Sequence, residues 1–173
     1  QPRYQQSQAQ VSEPLTRAVL TSSAYLRELV HAGRKFTVYV EPLVGGQIHV
    51  RNIGDEYALV VNPAVSSFDD IRHAYLHFML DPLVIRYRDQ LLPVDVLYRI
   101  SLRAPRLEES LRKDSLAFFA ECLVRAVELR IRKLPTAQLA VETDRAERDG
   151  LVLVHALMPA LAKFEAAEPG MSF

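Results

Sequence analysis

The hydrophobic period of this chain changes twice, and that constrains its fold more than any other feature. From Pro14 the apolar residues Leu15, Val19, Leu20, Ala24, Leu26 and Val30 recur at near-helical spacing, with Gly33 as a stop. The period then drops to two. Phe36, Val38 and Val40 alternate with Lys35, Thr37 and Tyr39, and Ile48 and Val50 share one face of the stretch 47–53. Gly45-Gly46 and Gly54-Asp55 supply turns, and Tyr57 to Val61 reads as a third, more uniformly apolar strand that Asn62-Pro63 ends. Three strands joined by short glycine turns predict an antiparallel meander. Beyond Ser66 the helical period returns. It gives a helix from near Phe68 to about Leu80, a boundary or kink at Asp81-Pro82, and a piece over 83–91. Further helices follow from Pro93 to before Pro105, over a long segment 107–134, and at 136–148 and 151–165. The fold class is therefore α+β: an N-terminal helix, a small antiparallel sheet of about three strands, then a helical bundle.

Composition removes several kinds of function. The 173 residues suit a single domain over 14–173, preceded by a Gln-rich flexible arm over 1–13. The 21 basic and 21 acidic residues cancel, which leaves no electrostatic footprint for nucleic acid. No window approaches the ~20 apolar residues of a membrane span. The expectation is a soluble protein, either cytoplasmic or, since the first residue is Gln1, exported after signal cleavage. The single cysteine, Cys122, can neither close an internal disulfide nor build a cysteine zinc site, and its apolar helical face predicts an inert thiol. Neither a Gly-x-Ser-x-Gly elbow nor a phosphate-binding glycine loop occurs. Chemistry falls to His, Asp, Glu, Arg and Tyr.

Of five histidines, only His73 and His77 have informative spacing. Residues four apart on a helix lie about 5–6 Å apart at Cβ, so two imidazoles can aim at one ion from a rigid backbone. A helical wheel gathers Phe68, Ile71, Tyr75, Phe78 and Met79 on one side and leaves the pair opposite, near Asp69, Asp70 and Leu80. The plain reading is two surface histidines; the functional one is two metal ligands. His31 reads as a helix-end residue, His49 as facing outward on a strand, and His155 as a hydrogen-bonded core histidine.

A third ligand has a candidate in the long helical segment, where Asp114, Glu121, Arg125, Glu128 and Arg132 form a polar stripe through apolar neighbours. A carboxylate in such surroundings is either paired or coordinating. On the plain reading, Glu121 with Arg125 and Glu128 with Arg132 are i,i+4 ion pairs on a solvated face.

This order of parts resembles the gluzincin metallopeptidases, the thermolysin-like zincins, and within them little-characterised bacterial members. The resemblance covers about 25–164. It rests on a small sheet, a helix with His73-x-x-x-His77, the Asp81-Pro82 boundary, and a later Glu121-x-x-x-Arg125-Ala126 segment. It implies a zincin-like domain in which zinc is held by His73, His77 and Glu121, with water fourth. Asp69, Asp70, Asp114 and Arg125 are then candidates to orient those ligands. One departure matters. The family's general-base glutamate follows the first histidine, and Ala74 stands there; the inverted arrangement is absent too, since Leu76 precedes His77. The expectation is a pseudopeptidase that binds zinc without efficient proteolysis. The alternatives are a metal-free scaffold that captures an extended peptide or protein segment, or an active zinc hydrolase with a relocated base such as Asp70 or Glu128.

Overall fold

A computed structural model of the chain describes residues 2–27, 33–45, 48–91 and 95–167, with side chains from Ser7 onward. The turn at Gly45-Gly46, His31 and the helix start at Pro93 therefore lie wholly or partly outside the described residues. The chain divides into two compact units, one up to Phe78 and one from Met79 onward.

The fold is α+β, as the change of period predicts. Helix α1 (Pro2–Leu26) precedes strands β1 (Lys35–Val40), β2 (His49–Ile53) and β3 (Glu56–Val61), and helix α2 (Phe68–Arg86) follows, its residues from Met79 onward belonging to the second unit. Residues 2–13, expected as a loose arm, are instead the first half of α1. Pro2 occupies the first turn, where no backbone N–H is needed. The Gln, Ala and Glu that follow are adequate helix formers, and Val11 gives the segment a buried anchor. The buried line of α1 runs through Val11, Ala18, Ser22 and Leu26, whereas Leu20 is exposed.

The sheet is not a meander. Its order is β1-β3-β2, with β3 antiparallel to β2 but parallel to β1, Lys35 opposite Glu56 and Val40 opposite Val61. The Gly54 turn (φ +59°) does make the β2–β3 hairpin. The parallel pair needs a long crossover, and residues 41–55, which contain β2, provide it. The central place goes to the strand with the most to bury: Tyr57, Ala58, Leu59 and Val61 are all buried. Leu59 and Val61 pack with Val11, Ala18, Ile71 and Ala74. Beside them Phe36 meets three rings, Tyr57 at 5.7 Å, Tyr75 at 5.2 Å and Phe78 at 5.3 Å between centroids.

Of the boundary or kink expected at Asp81-Pro82, the boundary is absent: α2 continues to Arg86 with Pro82 inside it, and a single 3-10 turn follows at Arg88–Gln90. Proline at 82 has no N–H for the carbonyl four residues back, that of Phe78. Arg34 Nη1 donates to that oxygen instead, at 3.1 Å, while its Nη2 donates to Asn52 Oδ1 at 3.3 Å. The guanidinium also lies 5.1 Å from the centre of the Phe78 ring. The cost that usually ends a helix before proline is thus offset from outside it.

The second unit contains α3 (Asp95–Ser101), α4 (Ser115–Ile131), α5 (Thr136–Arg148) and α6 (Leu153–Ala166). The expected helix over 107–134 is shorter. Residues 107–114 are turns, because Arg112 donates to the carbonyls of Leu102, Leu107 and Ala104, and Asp114 starts α4 as its N-cap. Helices α4, α5 and α6 pack on one another, and Phe118, Val124, Val127 and Val154 are fully buried.

Candidate metal centre

Two local devices start the helices that carry the candidate ligands. Ser67 caps α2: its Oγ accepts from Asp70 N at 3.2 Å, while Asp70 Oδ2 accepts from Ser67 N at 2.8 Å and Ser67 Oγ at 2.7 Å. This is a capping box with Asp in place of the usual Glu. Asp114 accepts from Leu116 N and Ala117 N at 2.8 and 3.1 Å and begins α4.

On α2, His73 and His77 are half-buried, with Nε2 atoms 3.1 Å apart and ring centroids 4.7 Å apart. The neighbours Arg72, Ala74, Tyr75, Leu76, Phe78, Met79 and Leu80 are all buried. The helix is therefore covered nearly all round, not along the single stripe that the wheel draws. Glu121 on α4 is half-buried as well, and the ligand atoms of His73, His77 and Glu121 all lie within 4.8 Å of one another.

That geometry fits a tetrahedral cation. With Zn–N distances of about 2.0–2.1 Å, an Nε2···Nε2 separation of 3.1 Å corresponds to an N–Zn–N angle of roughly 100°. Two imidazoles and one carboxylate with a position left over is also the donor set of catalytic zinc sites. Without a cation, an Nε2–H of one ring must donate to the lone pair of the other.

The residues expected to orient these ligands are engaged elsewhere. Asp70 is spent in the capping box and Asp114 in its N-cap. Asp69 pairs with Arg72 at 2.8 Å. Arg125 reaches Glu128 at 3.3 Å and Glu142 at 3.8 Å, and Arg132 reaches Glu142 at 3.8 Å. Both arginines of the polar stripe are thus drawn toward α5. Tyr75 is a core residue, as expected; its hydroxyl lies 3.0 Å from Ser23 Oγ. Cys122 is buried, and desolvation pushes its thiol up to about 12.

Ala74 is 4% exposed and belongs to the apolar cluster with Leu59, Val61 and Ile71. The side chain that follows His73 thus faces the core.

A second group has no counterpart in the sequence reading. Asp144 and Glu147 of α5 and His155 of α6 also bring ligand atoms within 4.8 Å, all of them exposed. His155 Nε2 lies 3.1 Å from Asp144 Oδ1 and 3.3 Å from Glu147 Oε2. This corrects the core reading of His155: it is exposed at the start of α6, and Leu153 and Val154 beside it are the buried residues. The signal in the sequence is Asp144-x-x-Glu147, an i,i+3 pair one short turn before the histidine. This cluster has the form of a surface hydrogen-bonded group.

No helix among the described residues is long and apolar enough to cross a membrane. No protein-family model, curated protein or solved structure matches the chain.

Proposed function

We propose that this chain is a zinc-binding, metallopeptidase-like domain without the general base that peptide hydrolysis requires. The observation that carries the reading is the convergence of His73, His77 and Glu121, with two Nε2 atoms spaced as neighbouring ligands of one ion. Imidazole nitrogens with one carboxylate favour zinc over magnesium or calcium, which take all-oxygen sets. Zinc held there would supply Lewis acidity towards a carbonyl oxygen. The chain's own contribution is to hold two neutral imidazoles and a carboxylate in place. The motif positions that would carry a group to take a proton from water and hand it to the leaving amine hold Ala74 and Leu76 instead. General acid–base catalysis contributes typically about 10²–10⁴-fold, and hydrolysis should be lowered by that order.

The relocated-base alternative has less support. Asp70 holds the start of α2 and Glu128 is tied to Arg125. The scaffold alternative has one favourable observation: β1 and β2 each pair on one side only among the described residues, so an extended peptide could add to either edge.

The test is elemental analysis of protein purified without chelator, followed by zinc titration. About one bound equivalent is expected, lost in His73→Ala and in Glu121→Ala. A chain that takes up no zinc, or takes up as much when either substitution is made, refutes the reading.

A further inference from the structure

The metal centre leaves unused a cavity of about 190 Å³ formed within the second unit, where α3 and the first turn of α4 meet the 3-10 turn at 88–90. Its floor is apolar: Tyr98, Leu116, Phe118 and Phe119, with the Tyr98 and Phe118 rings 5.3 Å apart. The phenol of Tyr98 is already committed, donating to Arg112 O at 2.7 Å, so it adds no polar demand to the floor. Cavities of about 150 Å³ admit benzene. This one has room for a single ring or branched side chain and little more.

Two charges of opposite sign line the same cavity. Arg88 is largely exposed, and its nearest acid, Asp89, is 3.8 Å away, too far for a hydrogen bond. Asp95 gives one oxygen, Oδ2, to Arg99 Nε at 2.8 Å and Arg99 Nη2 at 2.7 Å. Its Oδ1 accepts no hydrogen bond among the described residues. An apolar floor with one available guanidinium and one available carboxylate oxygen complements a small zwitterion. A plain carboxylic acid would leave Asp95 Oδ1 without a donor, and a plain amine would leave the Arg88 guanidinium without a carboxylate in the cavity.

We infer that this pocket binds a free apolar α-amino acid, its carboxylate on Arg88, its ammonium on Asp95 Oδ1 and its side chain on the aromatic floor. The inference is independent of zinc. A peptide terminus offers only half of this chemistry, a carboxylate at one end or an ammonium at the other.

The experiment is ligand titration followed by NMR on the full chain, with L-phenylalanine, phenylalaninamide, N-acetylphenylalanine and benzyl alcohol. Phenylalanine should bind best, and removing either charge should weaken it by about tenfold, the effect of one charge-assisted hydrogen bond. Arg88→Met should abolish the difference between phenylalanine and its amide, and Asp95→Asn the difference between phenylalanine and its N-acetyl form. Equal binding of all four compounds, or no binding at about 10 mM, overturns the inference. So does N-acetylphenylalanine matching phenylalanine, which would point to a peptide C-terminus. The ligand series on the unaltered chain decides the matter even if a variant fails to fold.

Discussion

Ala74 bears most directly on what the metal centre can do. Its methyl group lies in the cluster with Leu59, Val61 and Ile71, so a carboxylate introduced there must be buried without a partner. Ala74→Glu is expected to lower unfolding stability by about 2–4 kcal/mol in urea titration at pH 7, without a gain in peptide hydrolysis. Retained stability with raised hydrolysis would instead mean that position 74 opens onto the ligands. Cys122 gives a second residue-scale prediction. Its folded thiol is held up at about 12 by burial, against about 8.5 in an unfolded chain. The protonated form therefore favours the fold below pH ~8.5, and that contribution is lost as pH rises from there toward 12. Stability should fall between pH 8.5 and 10 more steeply in the native chain than in Cys122→Ala. At pH 8 iodoacetamide should label the thiol only in denaturant. At this scale the sequence is informative wherever a residue's role follows from helical spacing. The pairing of His73 with His77 is such a case. It is silent on burial: a wheel assigns directions, but it cannot say that Leu76 and Leu80, on the histidine side, are also covered.

At the scale of the element, the continuity of α2 through Pro82 depends on a residue that no periodicity points to. If Arg34 replaces the missing N–H, Arg34 and Pro82 must be coupled. Arg34→Met should cost about 1–3 kcal/mol by removing the hydrogen bond from its guanidinium to the Phe78 carbonyl. In a Pro82→Ala background the new N–H takes that carbonyl, and the same substitution should cost about 1 kcal/mol less. Additive effects in a double-mutant cycle, read by chemical denaturation, would exclude the compensation. The interactions of Arg34 with Asn52 and the Phe78 ring remain in both backgrounds, so they cancel from the coupling. This element also shows why boundaries are harder to read than elements. The helix at 136–148 needs only its own pattern, and its predicted bounds are those observed. The course of α2 past Pro82 depends on a side chain 44 residues upstream of Phe78. Likewise the start of α4 depends on Asp114 outcompeting a periodic run, and the strand order on which strand has most to bury. Each outcome is decided by a non-local competition.

For the whole molecule, the consequence of the proposed centre is linkage between metal and folding. The donors come from α2 and α4, far apart in sequence, and an unfolded chain cannot keep their atoms within 4.8 Å of one another. A cation that binds the folded form alone therefore stabilises it by RT ln(1 + [L]/Kd), about 2.7 kcal/mol at a hundredfold excess over Kd. For a chain of this length each kcal/mol is worth roughly 2–4 °C in Tm, so saturating zinc should raise Tm by about 5–10 °C and chelation should reverse it. The apo Tm should change far less on chelator addition. His73→Ala and Glu121→Ala should each remove most of the zinc-dependent rise, whereas replacing His155, in the exposed group with Asp144 and Glu147, should leave it intact. That contrast matters because unfolded His and Glu side chains bind zinc weakly anywhere in the chain, and only a folded centre makes the rise specific to His73, His77 and Glu121. A Tm that zinc does not move, or that moves equally in the His155 variant and in His73→Ala, would leave the scaffold reading as the better account of the fold.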